Sequence, residues 1–125
     1  MPKLFLLTAL FSGAIAVCMG AFAAHGLKAR LSAELLSTFR TAVDYQFYHT
    51  LALLALVLLI KQIGASTPLL AAGVLLIAGM LLFSGSLYAM ALGGPKWLGP
   101  ITPLGGLCFI AAWLCMAWAA THSNV

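Results

Sequence analysis

Apolar residues arrive in four long blocks, and polar residues crowd the gaps between them. The first block, Leu4 to Ala24, covers 21 residues with nothing more polar than Thr8 and Ser12. That is long enough to cross a bilayer as a helix, which takes about 20 residues. Pro2 suits the opening turn, and Gly26 is placed to end the helix in the left-handed conformation. The segment from Leu31 to Lys61 has no Gly or Pro. Ser32 can cap its start, and Glu34 sits near the positive end of the helix dipole. Its strictly apolar part, Leu51 to Ile60, is too short to cross alone, so the second span takes in Tyr45, Gln46, Tyr48 and His49. Leu31, Leu35, Phe39 and Phe47 form an apolar stripe with Arg40 and Asp44 off it, so residues 32–43 either lie on the membrane surface or project from it as a continuation of the same helix; an interfacial amphipathic helix over 32–43 leading into the span is the favoured reading. Thr67-Pro68 and Thr102-Pro103 open two further apolar blocks as cap and first turn. The predicted spans are 3–25, 44–61, 68–92 and 103–121.

Three of these spans carry small residues in register. Thr8, Ser12, Ala16, Gly20 and Ala24 recur every fourth position, and Ala72, Gly79, Ser86 and Gly93 every seventh. Cys108, Ala112, Cys115 and Ala119 give the last span a narrow seam. Small seams let helix backbones approach closely in lipid. The expected architecture is an all-α membrane protein, one domain of four transmembrane helices in a compact bundle.

Composition agrees and removes whole classes of function. Of 125 residues, 64% are hydrophobic and 6% charged, where a soluble domain carries about a quarter charged. A soluble enzyme, a disordered tail and a nucleic-acid binder are excluded. The net charge of +4 places cations at span ends, where they meet headgroups. Three cysteines inside apolar runs do not read as a disulfide framework. Lys3, the run Leu4–Val17 and Ala21-Phe22-Ala23 imitate a cleavable signal peptide, but the apolar stretch continues to Ala24.

Connectivity adds the most. Span one ends, span two begins, span three ends and span four begins on one membrane face. That face collects His25, Arg40, Asp44, Tyr45, Gln46 and His49, then Ser84, Ser86 and Tyr88, then Thr102. Buried polar groups in a membrane are costly unless paired, and often mark function. The same set can simply lock the bundle. His25 and His49 lack any local ligand pattern, so no metal or cofactor is predicted. His49, Asp44 and Ser84 or Ser86 are chemically capable groups, yet nothing in their spacing orders a nucleophile, a base and an orienting group. No catalytic residue is assigned.

Four stretches resemble the YgdD/YwdK-type family of small bacterial inner-membrane proteins, a family of unknown function. They are Gly20-Ala21-Phe22-Ala23-Ala24-His25-Gly26-Leu27, Tyr45-Gln46-Phe47-Tyr48-His49-Thr50-Leu51-Ala52, Leu82-Phe83-Ser84-Gly85-Ser86-Leu87-Tyr88 and Thr102-Pro103-Leu104-Gly105-Gly106. The family pattern usually has Gly where Ala23 stands, and Glu can replace Asp44. The resemblance implies an uncleaved first span and a bacterial inner membrane. The loops of the polar side carry Lys28, Arg30 and Lys96 against Lys3 and Lys61 on the other side, a near balance. More basic second loops and tails in the family imply that both termini are cytoplasmic.

The functional expectation is a non-enzymatic membrane protein whose polar side binds a lipid, a quinone or a membrane-protein partner, including a second copy of itself. The alternative is a small oligomeric proton-linked transporter or channel using Asp44 and His49.

Overall fold

The structure, a computed structural model, describes residues 1–124 and is built of helices. Helix α1 spans Pro2–His25 and α2 spans Ala33–Ile63. Helix α3 spans Thr67–Gly79, passes through a π turn at Met80–Ser84, and continues as α4, Gly85–Ala91. A short 3-10 turn, Lys96–Leu98, leads to α5, Ile101–Thr121. With α3 and α4 taken as one rod, four helices are long and apolar enough to cross a membrane. The expected all-α class and four-span count are therefore found.

Several boundaries depart from expectation. Residues 33–43 make no separate interfacial helix; they are the first three turns of an unbroken α2 of 31 residues. At 1.5 Å per residue α2 is about 46 Å long, well over the roughly 30 Å of hydrocarbon. Its first turns hold their place by packing: Leu36 and Phe39 are buried with Ala23, Leu27 and Ala91. The Phe39 ring sits edge-on between Phe22 and Tyr88, with centroids 6.3 and 4.9 Å away. Ser32 caps α2 as expected, its Oγ accepting from the Leu35 amide at 3.2 Å. Gly26 does not take the left-handed conformation; its φ is −72°. A side chain there would strike the Phe22 ring, which explains the glycine by space rather than by backbone angle. The left-handed glycines are Gly64 and Gly93, at the other two turns. Thr67 is the first helical residue after its cap, Ser66, and Thr102 is the second after its cap, Pro100.

Close packing follows the glycines. Along α1, Ala9, Ala16 and Ala23 are buried. Gly13 and Gly20 on the same helix leave their Cβ space to Thr50 and Val43 of α2. A methyl group at Gly105 of α5 would overlap the backbone of Phe83 in the π turn, and one at Gly73 would overlap the Phe5 ring. Helix α1 packs chiefly on α2, and α5 chiefly on α3. Helix α2 meets α3, the π turn and α4 along its length, so these two rods form the short diagonal of the bundle. The main apolar core includes Phe5, Leu53, Leu56, Leu69, Leu76 and Phe109. It is separated from the smaller Phe39 core by a layer of polar side chains.

Candidate functional site

The polar layer starts from spacing on α2. Gln46 and Thr50 are four residues apart, so they share one face, and that face meets α1 where Gly13 lets the two backbones close. Gln46 Nε2 donates to the Ser12 carbonyl at 3.2 Å and to Ser12 Oγ at 3.1 Å. Ser12 Oγ and Thr50 Oγ1 are 2.7 Å apart, and both hydroxyls reach Met80 Sδ, at 3.7 and 3.6 Å. From α4, the Tyr88 hydroxyl donates to Gln46 Oε1 at 2.6 Å. Ser84 Oγ donates to the Ala42 carbonyl at 2.8 Å. Met80 and Ser84, four residues apart at the two ends of the π turn, share the side facing α1 and α2. Among the described residues no buried side-chain nitrogen or oxygen lacks a partner.

Beside this layer, α1 and the rod of α3 and α4 part to leave a groove of about 600 Å³. Leu7, Phe11 and Ile15 form one wall, Ile77 and Leu81 the other, and Ser12, Gln46, Ser84 and Tyr88 the floor. Gly85 borders the groove in open space, where an added Cβ would meet nothing within 4 Å. Among the described residues no charged side chain lines it. Phe11 and Leu81, about 70% exposed, face outward at its mouth, so the groove opens sideways toward lipid.

The opposite flank, between α2 and α5, is filled. His49 lies flat on Phe109, with ring centroids 3.5 Å apart and planes 8° off parallel. Its Nδ1 is 2.8 Å from the Tyr45 carbonyl, and Trp113 Nε1 donates to its Nε2 at 3.1 Å. Those bonds assign the hydrogen to Nδ1 and leave neither ring nitrogen free. Tyr45 and Phe109 both pack on Phe83, at 4.6 and 5.6 Å.

The ten residues singled out from the sequence thus divide into four places. Gln46, Ser84 and Tyr88 join at the groove. Tyr45 and His49 belong to the aromatic flank. Ser86, whose Oγ also donates to the Phe83 carbonyl, is hydrogen-bonded to Thr102 and ties α4 to α5. His25, Arg40 and Asp44 are exposed and take no part in the polar layer. Asp44 and His49 consequently face different surroundings. Sequence reasoning missed Ser12, Thr50 and Trp113 as site residues. The i,i+4 spacing of Gln46 and Thr50 was the available signal for one of them.

Four apolar rods, a polar layer buried among them and a groove open to the bilayer define the class: a small polytopic helical membrane protein. Comparison with known proteins gives the family. Residues 19–106 match the family described as a protein of unknown function (DUF423), and the chain belongs to it. It is 38% identical over 118 residues to the UPF0382 membrane protein YwdK of Bacillus subtilis, covering 94% of this chain and 96% of that one. It is 44% identical to the UPF0382 membrane protein SH2409 of Staphylococcus haemolyticus, over 91% and 92% of the two chains. With a UPF0382 membrane protein of Haemophilus influenzae the identity is 39%, over 99% and 98%. No solved structure matches.

Proposed function

We propose that this protein is a non-enzymatic binding protein of the bacterial cytoplasmic membrane that holds a membrane-dissolved amphiphile in the groove between α1 and α4. The observation that carries this reading is the groove itself: apolar walls open to lipid, over a floor of hydrogen-bonding side chains. Its volume falls within the range of small-molecule sites, roughly 300–1,000 Å³. An acyl or isoprenoid chain would lie against Phe11, Ile15 and Leu81, with its polar head at Ser84, Gln46 and Tyr88.

A non-enzymatic role is supported by where the reactive groups point. The hydroxyls of Ser84 and Ser86 and both nitrogens of His49 are engaged with other partners, so neither of these serines faces His49. The cytoplasmic membrane is supported by the helical spans, since integral outer-membrane proteins are typically β-barrels. An even number of spans puts both termini on one side, and the more basic second loops and tails implied by the family resemblance support the cytoplasmic one. A C-terminal fluorescent-protein fusion that stays dark, beside an active alkaline phosphatase fusion, would reverse that orientation.

Native mass spectrometry of protein extracted in a mild detergent tests the binding. The expected spectrum carries one lipid-sized mass increment per 13.1 kDa chain, and Gly85→Leu, which fills the groove, removes it. Bare wild-type chains, or an increment that Gly85→Leu leaves in place, would overturn the reading. An increment of protein size that the same variant removes would put a partner's helix in the groove instead.

A further inference from the structure

The groove's floor has hydrogen-bond donors and acceptors in unequal supply, and that imbalance selects a head group. Gln46 has two amide hydrogens, and Ser12 takes both, one at its carbonyl and one at Oγ. The Tyr88 hydroxyl hydrogen goes to Gln46 Oε1, and the Ser84 hydroxyl hydrogen goes to the Ala42 carbonyl. Lone pairs remain: those of Tyr88 Oη and Ser84 Oγ, and the second on Gln46 Oε1. Thr8 is the other hydroxyl of the groove, one helical turn beyond Ser12 and away from this cluster. A head that only accepts hydrogen bonds would set lone pair against lone pair at the floor. A head that donates meets ready acceptors without disturbing any existing bond.

Charge and depth narrow the choice further. No cation lines the groove, so a phosphate head would enter without a counter-charge. Ser84 lies seven residues before the end of α4 at Ala91, about 10 Å at 1.5 Å per residue. A head group at that depth must leave the interface, and only an uncharged one does so cheaply.

We infer that the groove recognises an uncharged lipid whose head donates hydrogen bonds through hydroxyl groups, a lipid alcohol or a quinol, in preference to a quinone, an ester or a phospholipid. This rests on the groove being the binding site, and the experiment keeps the two ideas apart.

The probe is a diazirine-bearing octadecanol, compared with its O-methyl ether, which keeps the oxygen and loses the donor. Each is photolysed with the protein in phosphatidylcholine nanodiscs, and cross-linked residues are mapped by mass spectrometry. The alcohol is expected to label Phe11 and Leu81 about fivefold more than the ether does, the equivalent of one neutral hydrogen bond. Tyr88→Phe, or Ser84→Ala should the first variant not fold, should bring that ratio toward one. Equal labelling by alcohol and ether within the groove would overturn the donor inference and leave the groove reading standing. Labelling spread evenly over the lipid-facing surface would overturn both. Unlabelled competitors then separate the sources. Dioleoylglycerol displacing the probe supports a lipid alcohol, and menaquinol displacing it where menaquinone does not supports a quinol. Menaquinone competing as well as menaquinol would count against the inference.

Discussion

The two flanks of the bundle are made by the same pair of central rods and end differently. On the side of α5, His49 lies flat on Phe109 and meets Trp113 edge-on. On the side of α1, the rods part over Gln46, Ser84 and Tyr88 and leave room for a guest. Both flanks pair their buried polar atoms, so hydrogen bonding does not distinguish them. Volume does: Phe109 occupies one side, and the other keeps an open groove bordered by Gly85. Satisfied polar groups with no space read as structure, and satisfied polar groups beside space read as a site.

That contrast can be broken from either side. The largest effect is expected from emptying the filled flank. Phe109→Ala removes the ring on which His49 lies and the side chain packed against Gly79, at a cost of about 3 kcal/mol. Thermal melting in detergent should register it as a large drop in Tm, and an unchanged Tm would mean the stack contributes little. Filling the open flank should do the reverse. Gly85→Leu is expected to keep or raise Tm while abolishing lipid retention, and a Tm drop as large as that of Phe109→Ala would make the groove a structural element. Trp113→Phe isolates one hydrogen bond to His49, with an expected loss of about 0.6 kcal/mol. Lipid retention should not change in that variant; if it fell, the two flanks would be coupled through α2. The smallest effect is expected at the exposed charges. Asp44→Asn with Arg40→Gln should alter neither Tm nor retention, whereas proton-coupled flux in proteoliposomes that Asp44→Asn abolishes would favour the transporter reading.

Much of this fold is legible without coordinates, because in lipid the length of an apolar run nearly dictates a span. The polar side is legible for the same reason: connectivity alone puts the ends of four spans together. The division of that side into two flanks is not. Tyr45, Gln46 and His49 look alike in a linear reading, and which way each points depends on the rotation of α2 against two neighbours. Ser12 is hidden by its company, since a serine in a run of small residues reads as packing. The start of α2 misleads for a different reason. Glu34, Arg40 and Asp44 give it the look of a surface helix, but Phe39 is buried between Phe22 and Tyr88, and that tertiary contact carries the helix on unbroken. Nothing in Met80-Leu81-Leu82-Phe83-Ser84 announces a π turn. It accompanies the approach of α5 at Gly105, which lies far along the chain from Phe83, the residue it packs on.

The π turn also makes the third rod sensitive to counting. An α-helix turns by about 100° per residue, and the extra residue of the π turn fixes the angle at which everything after it emerges. Rewinding Met80–Ser84 as ordinary α-helix, with no residue lost, would leave the span apolar and long enough to cross, with every side chain of the groove still encoded. Tyr88 would nonetheless swing about a quarter of a turn away from Gln46, and Ser86 away from Thr102. In this stretch the wide turn takes up one residue, so the shape of the backbone and the number of letters have to match for the rest of the rod to arrive in place.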